Sequence, residues 1–261
     1  MRFSLSLILG LCLPLFAAAA DYLEPKLLTA SIYDKPEGRV MFTFRRTATQ
    51  TGDVVRVIRE FRNPDGSLAA QERVLYERGH LVRFELDELQ IGASGYAVIE
   101  GTENQQRIDF RYSPASGRNA RQKHDVETIL EEPLTADSLG PFIVVHWDEL
   151  NRGDVVRFRY LVVPRLETIA FKLTCEDRIA GRDSVKPTSF KGKNVVRLKM
   201  SPASWIIAQA LDPLIFTVES DAPHRVLQYF GRTTPKLGSG QSWRDLDALT
   251  VFDWPAPSPN R

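Results

Sequence analysis

Cysteine is almost missing from this chain. Of two in 261 residues, Cys12 lies in an apolar N-terminal stretch and only Cys175 follows it. One thiol cannot close an internal disulfide, so the fold must rest on its apolar core. Histidine is nearly as scarce. His80, His124, His146 and His224 stand apart, none at ligand spacing from another, and no HExxH or CxxC occurs, so no metal site is expected. His124-Asp125 reads as a solvated loop pair. Nucleotide-binding loops of the Walker and GxGxxG types do not occur, and no cofactor is expected. Gly92-Ala-Ser94-Gly95 is one residue short of a nucleophile elbow. Beyond residue 20 there is no run of eighteen apolar residues, so no membrane-spanning helix is expected there. An excess of one charge is absent too: 34 basic side chains stand against 33 acidic ones. That balance gives no long-range pull toward nucleic acid.

The N-terminus carries the clearest signal. Met1-Arg2-Phe3 leads into an apolar segment from Leu5 to Phe16, and Ala17 to Ala20 precede Asp21. A short basic start, an apolar stretch too short to span a bilayer and small residues before a polar one predict a signal peptide cleaved after Ala20. Leu11 is too bulky before Cys12 for a lipoprotein signal. Residues 21–254 read as a β-rich exported domain, with two β halves joined near 113–135 as the alternative division. The proline-rich 255–261 tail reads as disordered.

Strand and turn chemistry alternate through the mature chain. Arg39 to Arg46 and Val54 to Arg62 are rich in β-branched and aromatic residues. Asn63-Pro64-Asp65-Gly66 is a turn in which proline fixes φ and glycine takes the positive φ. Ser67 to Glu77 returns, Arg78-Gly79-His80 turns again, and Leu81 to Leu89 follows with Val82, Phe84 and Leu86 alternating with charges. Tyr96 to Glu100 and Arg107 to Tyr112 form a further hairpin. Ser113 to Lys123 reads as a linker. In the second half three runs place apolar residues on one face: Val156, Phe158, Tyr160, Val162; then Ile169, Phe171, Leu173, Cys175; then Val196, Leu198, Met200. Leu214 to Glu219 and Arg225 to Phe230 make a last hairpin. Gly52-Asp-Val-Val-Arg56 recurs as Gly153-Asp-Val-Val-Arg157, but the flanks do not align, so no repeat is inferred.

One helix stands out. Leu139, Phe142, Ile143, His146, Trp147 and Leu150 share a face, Asp137 or Ser138 is placed to cap it, and Gly153 lies past its end. A second, short helix opens at Ser201-Pro202 and carries Trp205 and Ile206. The fold class expected is mainly β (α+β): a curved antiparallel meander or open β-barrel with the first helix covering its apolar face.

Val196-Arg-Leu-Lys-Met200 with Ser-Pro-Ala-Ser-Trp-Ile-Ile, Asp212-Pro-Leu-Ile-Phe-Thr-Val218 and His224-Arg-Val-Leu-Gln-Tyr-Phe-Gly-Arg232 resemble the C-terminal half of DUF3108-like exported bacterial proteins of unknown function. The resemblance covers the last third of the mature chain. It implies an incompletely closed β-barrel, similar in outline to periplasmic lipoprotein carriers, with a periplasmic location and an apolar cavity. It implies no reaction.

The residues themselves point to no catalytic group. His146 and Cys175 are the one dyad that can be named, and without a motif they read as a core-edge histidine and a structural thiol. Arg157, Arg159, Lys172, Arg197 and Lys199 lie on polar strand faces, where they form either a phosphate-binding stripe or an ordinary soluble surface; the second is the simpler reading. The function expected is a binding or carrier module for an apolar or amphiphilic ligand such as a lipid, lined by Phe84, Phe142, Trp147, Phe158, Tyr160, Phe171 and Trp205. The alternative is a structural or protein-interaction module of the cell envelope without catalysis, in which Trp243 and Trp254 meet a partner protein.

Overall fold

The computed structural model describes residues 26–36, 38–102, 105–114, 121–179, 190, 193–209, 211–240 and 242–254. The leader and the 255–261 tail read from the sequence lie outside the described residues. Among the described residues there are sixteen strands: β1 Leu27–Tyr33, β2 Val40–Thr51, β3 Val54–Arg62, β4 Leu68–Glu77, β5 His80–Glu88, β6 Ala93–Thr102, β7 Gln105–Ser113, β8 Lys123–Ile129, β9 Val156–Val162, β10 Glu167–Ile179, β11 Val195–Pro202, β12 Leu214–Glu219, β13 Val226–Arg232, β14 Leu237–Ser239, β15 Ser242–Arg244 and β16 Asp247–Asp253. The helices are α1 Leu139–Val145, α2 Trp147–Arg152 and α3 Trp205–Ala208.

Fourteen of the strands make one antiparallel sheet in the order β8-β7-β6-β5-β4-β3-β2-β1-β16-β13-β12-β11-β10-β9. Each neighbour within β1–β8 follows its predecessor in the chain, as the predicted tight turns require. At Asn63–Gly66 the Gly66 amide donates to Asn63 O at 2.9 Å and Gly66 takes a φ of 86°. Arg78 and Gly79 both have positive φ, closing the β4–β5 hairpin with two residues. The two halves meet where β1 pairs with β16. The edge strands β8 and β9 do not pair with each other, so the sheet curls without closing.

The covering helix is present, but kinked into α1 and α2 at His146, whose φ and ψ are −97° and 15°. The kink keeps its hydrogen bonds: the His146 amide donates to Phe142 O and the Leu150 amide to His146 O. Leu139, Ile143, Trp147 and Leu150 are buried in a cluster with Val156, Phe158, Ile169, Phe171, Leu173, Leu198 and Phe216. Neither expected cap operates. Ser138 Oγ instead accepts from the Thr135 amide at 2.9 Å, and Asp137 is committed to a buried ion pair. Gly153 ends the helix with a φ of 91°. Gly52 likewise sits at positive φ before β3, so the repeated Gly-Asp-Val-Val-Arg serves the same local purpose twice: a left-handed residue followed by strand entry.

Both faces of β9 are used. Val156, Phe158 and Tyr160 face the helices, whereas Leu161 and Val163 are buried with Val57, Phe84, Ile108 and Phe110 of the first half. From Arg159 onward the far face of β9 therefore lies against the first half, while Arg157 stays exposed. Glu127 of β8 ties the overlap, accepting from Arg159 Nη2 at 2.7 Å and from the Thr168 amide at 2.6 Å. Leu134 bridges to the free edge of β9, donating to Arg159 O and accepting from the Leu161 amide. Gly95 makes room for this: a Cβ there would stand 2.6 Å from Arg111 O and 2.7 Å from Val163 Cγ1.

Four readings need correction. Ser201 and Pro202 end β11 by pairing with Lys172 and Phe171 rather than opening the second helix, which starts at Trp205 after Ser204. His124 and Asp125 lie on strand β8, not in a loop; β8 is exposed on both faces over most of its length, which removes the alternation that marks a strand. Leu81, not Val82, is fully buried on β5, because the register shifts between Leu75 and Tyr76. Trp254 is no loose aromatic. It packs on a small core, on the sheet face opposite the helices, formed by Phe190, Val195, Leu227, Leu249 and Val251, and its Nε1 donates to Val226 O at 2.8 Å.

Candidate functional site

Two features stand apart from ordinary β packing. The first is a belt of polar side chains inside the curl. Arg46 of β2 donates through Nε to Asp137 Oδ1 at 2.6 Å and through Nη2 to Oδ2 at 3.2 Å. The Tyr76 hydroxyl donates to the same carboxylate at 3.2 Å. One strand further, Arg59 pairs with Glu72, and Glu72 also accepts from the Thr234 hydroxyl. Burial alone would lower the Arg59 pKa, but the charges of Glu72 and Asp137 reverse that and hold it above its ordinary value. Burial, followed by the Asp137 charge, pushes the Tyr76 phenol well above 10. Tyr160 and Tyr229 are raised as well, chiefly by burial. Two cations face two carboxylates, so the belt is internally neutral. It fastens the segment leading into α1 to the sheet.

The second feature is a cleft of about 650 Å³ at one end of the sheet. The β14–β15 ribbon forms one wall. Val40, Met41 and Phe42 of β2, Pro64 and Leu68 of the β3–β4 hairpin, Leu89, Leu237 and Trp243 supply an apolar lining. Its polar groups are Arg39, Asn63, Gln90 and Lys236, so the lining holds two cations and no carboxylate. The ribbon is held at its base by Gln90, which donates to Lys236 O at 3.1 Å and accepts from the Lys236 amide at 2.9 Å, in the manner of a strand. Lys236 Nζ reaches Asp245 at 2.9 Å and Glu88 at 3.2 Å. The Asp245 carboxyl is pushed up by burial but more strongly down by Lys236 and Arg232, ending below its usual value. Glu88 accepts from the Tyr112 hydroxyl at 2.8 Å. A second cleft of about 450 Å³ adjoins, lined by Asp34, Arg39, Arg244, Asp245 and Asp247 among others.

The predicted lining residues separate into three groups. Phe142, Trp147, Phe158, Tyr160 and Phe171 converge between helix and sheet: Phe142 lies 5.0 Å from Phe158, and Phe158 lies 6.2 Å from Phe171, between ring centroids. Trp147 stacks on His224 at 4.0 Å. These rings pack on one another in the core rather than lining either cleft. Phe84 belongs to the other core, in the first half. Trp205 is 71% exposed on α3. His146 turns its Nδ1 to Glu149 at 2.9 Å and rests its ring against Phe142, while Cys175 packs at the margin of the helix cluster. Of the cleft residues only Trp243 stood out in the sequence, as an aromatic for a partner protein; the rest come from four other segments and none was read as lining a site. Gly238 and Gly240, both at positive φ in the ribbon, were the one local sign.

No protein-family model, no curated protein and no solved structure matches the chain.

Proposed function

We propose that this protein is an exported, periplasmic binding module whose ligand is a small amphiphile held in the cleft beside the β14–β15 ribbon. The observation that carries this reading is the lining: apolar side chains from β2, the β3–β4 hairpin and the ribbon, with Arg39 and Lys236 at the margin and no acid among them. The volume falls in the range of small-molecule sites, about 300–1,000 Å³. Lys236 is already shared between two carboxylates, so Arg39 is the cation offered to a ligand, and an anionic head group suits it. The resemblance of Val196–Arg232 to DUF3108-like exported proteins points toward carriage of an apolar ligand as well. The peripheral cleft is preferred to a site under the helices because the aromatic side chains there pack against one another.

The test is binding of two fluorescent probes of equal chain length, a fatty acid and the matching fatty alcohol, to the mature chain. Trp243→Ala weakens both. Arg39→Glu weakens the acid at least about fivefold, the worth of one charge-assisted contact, and leaves the alcohol unchanged. Failure of either probe to bind at micromolar concentration, or binding indifferent to both substitutions, overturns the reading and favours the envelope interaction module.

A further inference from the structure

The cleft leaves one surface unexplained, at the other half of the sheet. Helix α3 carries Trp205 and Ile206, 71% and 64% exposed, side by side at the end of β11. Ile207 packs inward on the helix cluster and anchors the turn. The Ala203 amide donates to Ala170 O at 2.8 Å, which leads the chain into α3 two pairings beyond the row formed by Arg157, Lys172 and Ser201. In that row Arg157 and Lys172 stand directly opposite each other across the β9–β10 pairing. Like charges in that position are destabilising, and neither makes an ion pair among the described residues. On the side away from α3, Lys199, Ile215 and Phe230 stand in register, with Phe230 39% exposed. Lys199 approaches Glu176 only at 3.9 Å. Asp212 is the one acid in the α3–β12 connection.

We infer that this end of the sheet is a contact surface for an anionic lipid bilayer, with Trp205 and Ile206 entering the interface and Arg157, Lys172 and Lys199 meeting the head groups. Tryptophan and isoleucine beside lysine and arginine are the composition of surfaces that lie at a membrane interface. A protein partner would recognise the same apolar pair, but it would leave the opposed Arg157 and Lys172 unexplained, whereas a sheet of phosphates answers both. No helix among the described residues is long and apolar enough to cross a membrane, and the contact proposed is peripheral. It is independent of the ligand in the ribbon cleft.

The experiment is flotation of the mature chain with vesicles of phosphatidylcholine alone and of phosphatidylcholine mixed with phosphatidylglycerol. The wild type is expected on the mixed vesicles at low salt and released by added salt. Lys172→Gln is expected to weaken that binding about fivefold, corresponding to about 1 kcal/mol for a cation near an anionic surface. Trp205→Asp with Ile206→Asp is expected to abolish it. Trp205→Phe provides the independent reading: it keeps the binding but removes the quenching of tryptophan emission by lipids brominated in their chains. Absence of wild-type binding to the mixed vesicles, unchanged binding in the double aspartate variant, or undiminished quenching in Trp205→Phe each overturns the inference.

Discussion

Replacing Asp137 by alanine removes the acceptor that holds the covering helices to the sheet. The carboxylate receives both an Nε–H and an Nη2–H from Arg46 and a hydroxyl from Tyr76, and its side chain is 1% exposed. The substitution leaves a guanidinium buried beside a cavity and a phenol without that partner. Removing one member of a buried pair costs about 3–5 kcal/mol, because the remaining charge stays desolvated. Taking the lower end, the melting temperature should fall by roughly 6–12 °C in a domain of this size. Urea unfolding followed by circular dichroism measures the loss directly. The companion Arg46→Met with Asp137→Leu, which removes both charges, should recover most of it. Hydrogen exchange should find the Thr135–Leu150 segment opening before the strands in Asp137→Ala. A loss below about 1 kcal/mol, the range of an exposed pair, would show that the belt does not fasten the helices.

Three further outcomes are expected. Tyr76, Tyr112, Tyr160 and Tyr229 all have phenol pKa values raised chiefly by burial; the stability they lend is full below the ordinary value of 10.0 and is lost as pH rises above it. Absorbance titration should therefore find these four phenolates appearing together with unfolding rather than before it. At the ribbon the sign is opposite: the Asp245 pKa lies below its ordinary 3.8, so its contribution is full above that value and disappears as pH falls beneath it. Emission from Trp243, isolated by replacing the other tryptophans with phenylalanine, should change in that acid window before the global transition. Gly95→Ala, which would drive a Cβ into Arg111 O and Val163 Cγ1, should cost about 1–3 kcal/mol as overpacking; a neutral effect in a denaturant melt would mean that β9 does not press on β6.

How much of this was legible in the sequence depended on which force set each element. The hairpins from β2 to β7 were readable because alternation and turn residues are local. So was the helix at Leu139–Leu150, whose apolar face is continuous. Strand β8 was not readable: Lys123, His124 and Asp125 bury nothing, and the strand exists because β7 offers it an edge. Strands β1 and β16 were missed as well, their role being set by each other across the chain. The polar belt was invisible for a related reason. Arg46 and Asp137 lie ninety-one positions apart, and each looked like a surface charge until the fold carried both inside. The predicted lining residues were chosen for being aromatic and apolar, a criterion that finds cores more readily than clefts, and five of the seven did converge in one core.

The pairing of β1 with β16 sets Thr29 opposite Asp253. The first and last strands described thus form the seam between the halves, and the backbone enters and leaves the sheet about 5 Å apart, one strand spacing. The β1–β16 seam therefore joins residues more than two hundred positions apart and closes only once β16 is available. That closeness makes the sheet a ready candidate for circular permutation, with a short linker joining Leu27 to Asp253 and new termini opened at the β3–β4 hairpin.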